Sequence, residues 1–154
     1  MTFAHAKAHE VTLAWNDKLK LGLAAMDDTH EEFVEIVNEM LTCADEDVAR
    51  CLDLFERHAE AHFLQEEMWM QTSGFPSMDC HVKEHEAVVA SVREVQALLR
   101  SGGALEVARR LAAELARWFP AHADYLDAAL AQWIVKRSHG GPPIVVRRNM
   151  QFDG

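Results

Sequence analysis

From Leu23 to Lys136 the apolar positions recur every three or four residues, the period of a helix with one buried face. A first stretch, from about Leu23 to Cys43, carries Phe33, Val34, Ile36, Val37, Met40 and Leu41 on one stripe. A second runs to about Gln71 with Asp45 as its candidate cap, and Leu52, Phe55, Ala59, His62, Phe63 and Glu66 share a face there. Gly74, Pro76 and Ser77 then break the chain. A third stretch, about Met78 to Arg100, stops at Ser101-Gly102-Gly103. A fourth runs from about Ala104 to Lys136, and Pro120 inside it is expected to kink the helix. Four such helices with short connections predict an all-α, up-down-up-down four-helix bundle in a single domain.

Outside the helices the pattern changes. Residues 1–20 read as an arm in which Val11, Leu13 and Trp15 alternate, which suits an extended segment laid over a groove. The bundle is expected over about 21–136 and a tail over 137–154. Gly140-Gly141-Pro142-Pro143 opens the tail proper, followed by Ile144-Val145-Val146 and Arg147-Arg148. Two readings stay open for it: a partly ordered terminus, or a partner-binding extension.

The chain has 154 residues, nearly half of them apolar, and a formal charge of -10. That charge argues against nucleic acid as a partner, because phosphate binding needs basic surface. No apolar run approaches the roughly 20 residues of a membrane span, and MTFAHAKAHE lacks the apolar core of a signal peptide. A cytoplasmic protein, more simply a monomer than an assembly, is the expectation. Cys43, Cys51 and Cys80 form no C-x-x-C pair and are expected as reduced, buried thiols.

The chemistry lies in the histidines. His62 and Glu66 stand at i, i+4 and project together, as do His81 and His85. His30 lies on the first helix, and His122 and Asp127 on the fourth. Imidazoles and carboxylates converging from four helices suit a polynuclear metal centre. One H-x-x-x-H means little alone: His5 and His9 repeat the spacing in the arm and are not expected as ligands. His122 and Asp127 are five apart, about 140° around an ideal helix, so their joint use requires two ions or a local irregularity. His58 extends the second motif to H-x-x-x-H-x-x-x-E and reads as a group beside the site, hydrogen-bonded to a carboxylate or water; Tyr125 is a weaker candidate of that kind.

Gly22-Leu23-Ala24-Ala25-Met26-Asp27-Asp28-Thr29-His30, His62-Phe63-Leu64-Gln65-Glu66-Glu67, His81-Val82-Lys83-Glu84-His85 and Trp118-Phe119-Pro120-Ala121-His122 with Asp127 together resemble hemerythrin, especially its single-domain bacterial form. The resemblance spans about Trp15 to Trp133 and fills all seven ligand positions. It implies a non-haem pair of iron ions (Fe2+/Fe3+) joined by an oxo or hydroxo bridge, with O2 as a reversibly bound small-molecule ligand. It places His81, His85 and His122 on one iron, His30 and His62 on the other, and Glu66 and Asp127 across both. The chain departs from the family at Thr29, where glutamine is common, at His58, where an aromatic often stands, and at Pro120.

Two six-coordinate irons so held have every position filled but one, on the iron with two histidines. The ferritin-like oxidases build their centres from Glu-x-x-His and more carboxylates. This chain has no Glu-x-x-His, and neutral imidazoles leave ferrous iron more accessible than anionic oxygens do. Storage, delivery or sensing of O2, without catalysis, is therefore expected. The alternatives are a redox enzyme reducing peroxide or nitric oxide, and an iron- or oxygen-responsive regulatory module. Phe33, Phe63, Trp69 and Trp118 are candidates to close the pocket.

Overall fold

The computed structural model describes residues 13–138. His5, His9, Val11 and the glycine-proline and basic segments of the tail lie outside them. Helix α1 spans Ala24–Thr42, α2 Val48–Ser73, α3 Met78–Arg100, α4 Leu105–His122 and α5 Ala128–Ser138. The last two are one helical rod interrupted by a π-helical turn, Ala123–Asp127. Helix α1 packs on α2 and α4, and α3 packs on the same two, which is the four-helix bundle the periodicity predicts. No helix among the described residues is long and apolar enough to cross a membrane.

The connections follow from their residues. Gly74 closes α2 in the left-handed region (φ 68°), and the Phe75 N–H returns to the Met70 carbonyl at 2.9 Å. Gly102 does the same for α3 (φ 89°), and a Cβ on Gly103 would meet the Leu98 carbonyl oxygen at 2.7 Å. Asp45 does not cap α2. It begins a short 3-10 turn, Asp45–Asp47, and accepts from Arg109 Nη2 at 2.8 Å. The same guanidinium donates to the carbonyls of Met40, Leu41 and Cys43, so α4 supplies the donors that the end of α1 lacks.

The arm is extended as its alternation predicts over residues 13–16, but Asp17–Leu19 wind into a short 3-10 helix. Leu13 and Trp15 turn toward the core while Ala14 and Asn16 face outward. The Asn38 side chain pins it, accepting from the Leu13 N–H at 2.9 Å and donating to the Leu13 carbonyl at 2.6 Å. Cys51 is buried and Cys43 half-buried, but Cys80 is exposed on the first turn of α3, against expectation. A helix start leaves outward positions that the burial habit of cysteine does not foresee.

Two apolar clusters divide the interior. The larger includes Phe33, Val37, Leu52, Phe55, Val92, Leu115 and Phe119. The smaller is Met26, Met70, Leu130 and Ala131. Apart from Gln96 toward the far end of α3, the buried polar residues fall between them: His30 on α1, His62 and Glu66 on α2, His81 and His85 on α3, His122 and Asp127 at the ends of the π turn. The bundle thus holds one polar layer between two apolar plugs.

Candidate metal centre

All seven of these side chains are buried, with 6% exposure or less. Their ligand-type atoms form two groups: Glu66, His81, His85, His122 and Asp127 in one, and His30, His62, Glu66 and Asp127 in the other. Both carboxylates belong to both groups, and each divides its oxygens between them. Glu66 Oε1 lies 3.3 Å from His81 Nε2 and 3.2 Å from His85 Nε2, while Oε2 lies 3.2 Å from His62 Nε2 and 3.6 Å from His30 Nε2. Asp127 Oδ1 lies 2.8 Å from His81 Nε2 and 3.2 Å from His122 Nε2, and Oδ2 lies 3.0 Å from His30 Nε2.

The π turn explains how His122 and Asp127 meet. In an α-helix they would diverge by about 140°. Here the Ala128 N–H bonds back to Ala123, five residues earlier, and the widened turn brings i and i+5 onto one face. Pro120, in the preceding turn, has no N–H to give, so the rod is already short of a backbone bond where the irregularity begins. Proline thus marks the expected irregularity, which takes the form of a π turn.

These atoms are close but not hydrogen-bonded to one another. Both oxygens of Glu66 and Asp127, and Nε2 of His30, His81, His85 and His122, are buried without a bond of acceptable direction. Polar atoms left this way cost free energy unless something satisfies them. Lone pairs that sit near one another yet aim elsewhere suit cations held between them, so the residues fit a metal pair. Imidazole nitrogen with carboxylate oxygen suits iron, zinc or copper.

The electrostatics agree. Burial would lower His30 and His81, but Asp127 and Glu66 outweigh it and raise each to about 9. Burial prevails at His62, which falls to about 4, and lowers His85. Burial would raise both carboxyls, yet the surrounding histidines hold Glu66 and Asp127 below the usual carboxylate range. Without metal, protons on His30 and His81 thus balance the two carboxylates. Loading a divalent metal at pH 7–8 is therefore expected to release about two protons per chain, and apparent affinity is expected to weaken as pH falls. A pH-indicator titration of metal-free protein checks this; uptake with no proton release would refute it.

Around the layer, Phe63 stacks on His85 (centroids 3.8 Å, planes 4° apart), Trp118 on His122 (4.3 Å, 28°), and Phe119 meets His30 edge-on at 5.1 Å. Phe33 stacks in turn on Phe119. Trp69 belongs instead to the packing of the smaller plug. His58 joins neither group. Its Nε2 lies 3.3 Å from Glu32 Oε1, beside a surface carboxylate and not one of the centre's own. Tyr125 is 77% exposed and takes no part, because within the π turn three residues no longer return to the same face. Sequence reasoning missed Glu84, whose Oε1 accepts from His122 Nδ1 at 2.9 Å and from Trp118 Nε1 at 3.3 Å. Its neighbour His85 signals nothing about this, since the contact crosses from α3 to α4.

Comparison with known proteins gives the same assignment. The hemerythrin HHE cation binding domain family matches residues 21–134. A bacteriohemerythrin of Ralstonia nicotianae is 36% identical over 125 residues, covering 81% of this chain and 90% of that protein. A bacteriohemerythrin of Aquifex aeolicus is 29% identical over 122 residues, 76% of this chain and 93% of that protein. The crystal structure of wild-type hemerythrin superposes with a TM-score of 0.72 at 22% identity, over 79% of this chain and 97% of that one, which supports the fold. The chain belongs to the hemerythrin HHE cation-binding family.

Proposed function

We propose that the polar layer holds a bridged pair of irons and that the protein binds O2 reversibly there, as a carrier, store or sensor and not as a catalyst. In this reading His81, His85 and His122 hold one iron and His30 and His62 the other. Glu66 and Asp127 span both, and an oxo or hydroxo group completes the bridge. An iron pair held by these residues would supply the reversible redox chemistry that O2 binding needs.

One observation carries the reading: both carboxylates split their oxygens between the two groups, yet one group has three histidines and the other two. That asymmetry leaves one side a ligand short. The short side faces rings: Phe119 against His30, with Phe33 stacked behind it. Such a surface suits a small, uncharged ligand and excludes bulk water. This favours binding over reductive turnover.

Iron-loaded protein, reduced without air and then exposed to it, tests the reading by its visible spectrum. A charge-transfer band that appears under O2 and disappears under argon, over repeated cycles, is expected. Rapid irreversible oxidation would sink the carrier reading and favour reduction of peroxide or nitric oxide. Iron content of one ion per chain would sink the pair itself.

A further inference from the structure

His122 occupies the least regular backbone in the centre. The other four histidines project from uninterrupted α-helix, whereas His122 is the last residue before the π turn. A widened turn leaves the direction of its ring less determined by the helix, so something else must hold it. Two contacts do. The Trp118 indole lies against one face of the ring, and Glu84, reaching across from α3, takes its outer nitrogen. The indole N–H donates to the same Oε1, so the three side chains close on one another.

We propose that Glu84 is the positioning residue of the three-histidine half, locking His122 in the tautomer that turns Nε2 to the metal and strengthening that nitrogen as a donor; this rests on the iron-pair reading above. A carboxylate only accepts, so the hydrogen in the 2.9 Å contact belongs to His122 Nδ1. Nε2 then keeps its lone pair, and it is the nitrogen on the side of the centre, 3.2 Å from Asp127 Oδ1. Partial transfer of the Nδ1 hydrogen toward a negative acceptor makes the imidazole a better electron donor. Among the described residues, no other histidine of the centre has a side-chain acceptor on Nδ1, and those of His30, His81 and His85 are buried without a bond. Glu84 therefore acts on one half only, the half already rich in nitrogen. It stabilises the oxidised state of that iron and leaves the ligand-deficient side unassisted, which deepens the difference between them. The carboxylate is 47% exposed, so solvent moderates its charge, but His122, at 2%, is held dry.

Two measurements on Glu84→Ala and Glu84→Gln test this, with the helical circular dichroism of each variant as the control for folding. First, ring-nitrogen NMR of metal-free protein reads the His122 tautomer without any metal. Nδ1–H is expected in the native chain and in Glu84→Gln, whose amide oxygen still accepts, and a mixture in Glu84→Ala. An Nε2–H tautomer in the native chain overturns the proposal, even if the metal reading stands. Second, cobalt(II) is titrated into metal-free protein and followed by its visible bands. Glu84→Ala is expected to bind about 10–100-fold more weakly. Glu84→Gln is expected to recover most of the affinity but to keep shifted bands, because the charge is gone. Against a His122→Ala background, Glu84→Ala is expected to add no further loss. Equal affinity and superimposable spectra in all three chains overturn the proposal, as does an additive loss in the double variant. A native chain with the Nδ1–H tautomer that takes up no cobalt overturns the iron-pair reading instead.

Discussion

Stripping the metal is expected to lower the melting temperature by about 10–15 °C at neutral pH. A ligand bound only by the folded chain stabilises it by about 4 kcal/mol when present at a thousand times its dissociation constant, and about 1 kcal/mol moves the melting point of a domain this size by about 2–4 °C. The centre gathers residues from α1, α2, α3, α4 and the π turn, so its loss is felt by the whole bundle and not by one helix. What remains in the metal-free protein is the pairing of His30 and His81 with the two carboxylates. Both histidines stand at about 9 in the folded chain, above their ordinary 6.5. The stability they add is complete below pH 6.5 and is lost as pH rises through 9. The metal-free melting point is therefore expected to fall between pH 7 and 10, and the loaded form to change less there, because metal has replaced those protons. Thermal unfolding of both forms across that range decides it. A metal-free curve that is flat, or that coincides with the loaded one, would mean the polar layer holds no cation.

Glu66→Ala is expected to empty both halves of the centre. Glu66 places one oxygen near His81 and His85 and the other near His62 and His30, so its removal takes a ligand from each group. Iron content is expected to fall from about two per chain to well below one. His62→Ala removes a residue from one group only and is expected to spare the three-histidine half. Glu66→Gln offers one strong acceptor oxygen in nearly the same volume. It separates loss of bridging from loss of packing, and a single retained iron is the expected result. Elemental analysis with Mössbauer spectroscopy reads all three. A coupled iron pair surviving in Glu66→Ala would remove the bridging assignment.

Much of this was legible in the chain because helical periodicity is a local property. Phe33 to Leu41 on α1 and Leu52 to Glu66 on α2 are buried as their spacing requires. His62 with Glu66, and His81 with His85, share faces because i and i+4 must. The reading ran short where the answer depends on packing between helices. Asp45 has the chemistry of a cap, but Arg109 from α4 claims it. Glu84 looks like an ordinary surface carboxylate until α3 and α4 are set side by side. Tyr125 departs for a different reason: three residues return to one face of an ideal helix, and here the backbone has widened. His122 and Asp127 were both named, and the angle between them signalled that widening.

The π turn also has a consequence beyond the seven side chains. It acts as one surplus residue in the rod, so everything after it is out of phase with α4 by about 100°. Leu130 and Ala131 fill the smaller plug with Met26 and Met70 only because of that offset. Rewinding Ala123–Asp127 into ordinary helix would carry Asp127 away from the centre and at the same time roll α5 by one residue, turning its apolar edge out of the bundle. Rewinding with every residue kept is thus a frameshift in three dimensions that misregisters both the centre and the plug, whereas deleting one residue of the turn removes the surplus and leaves both in register.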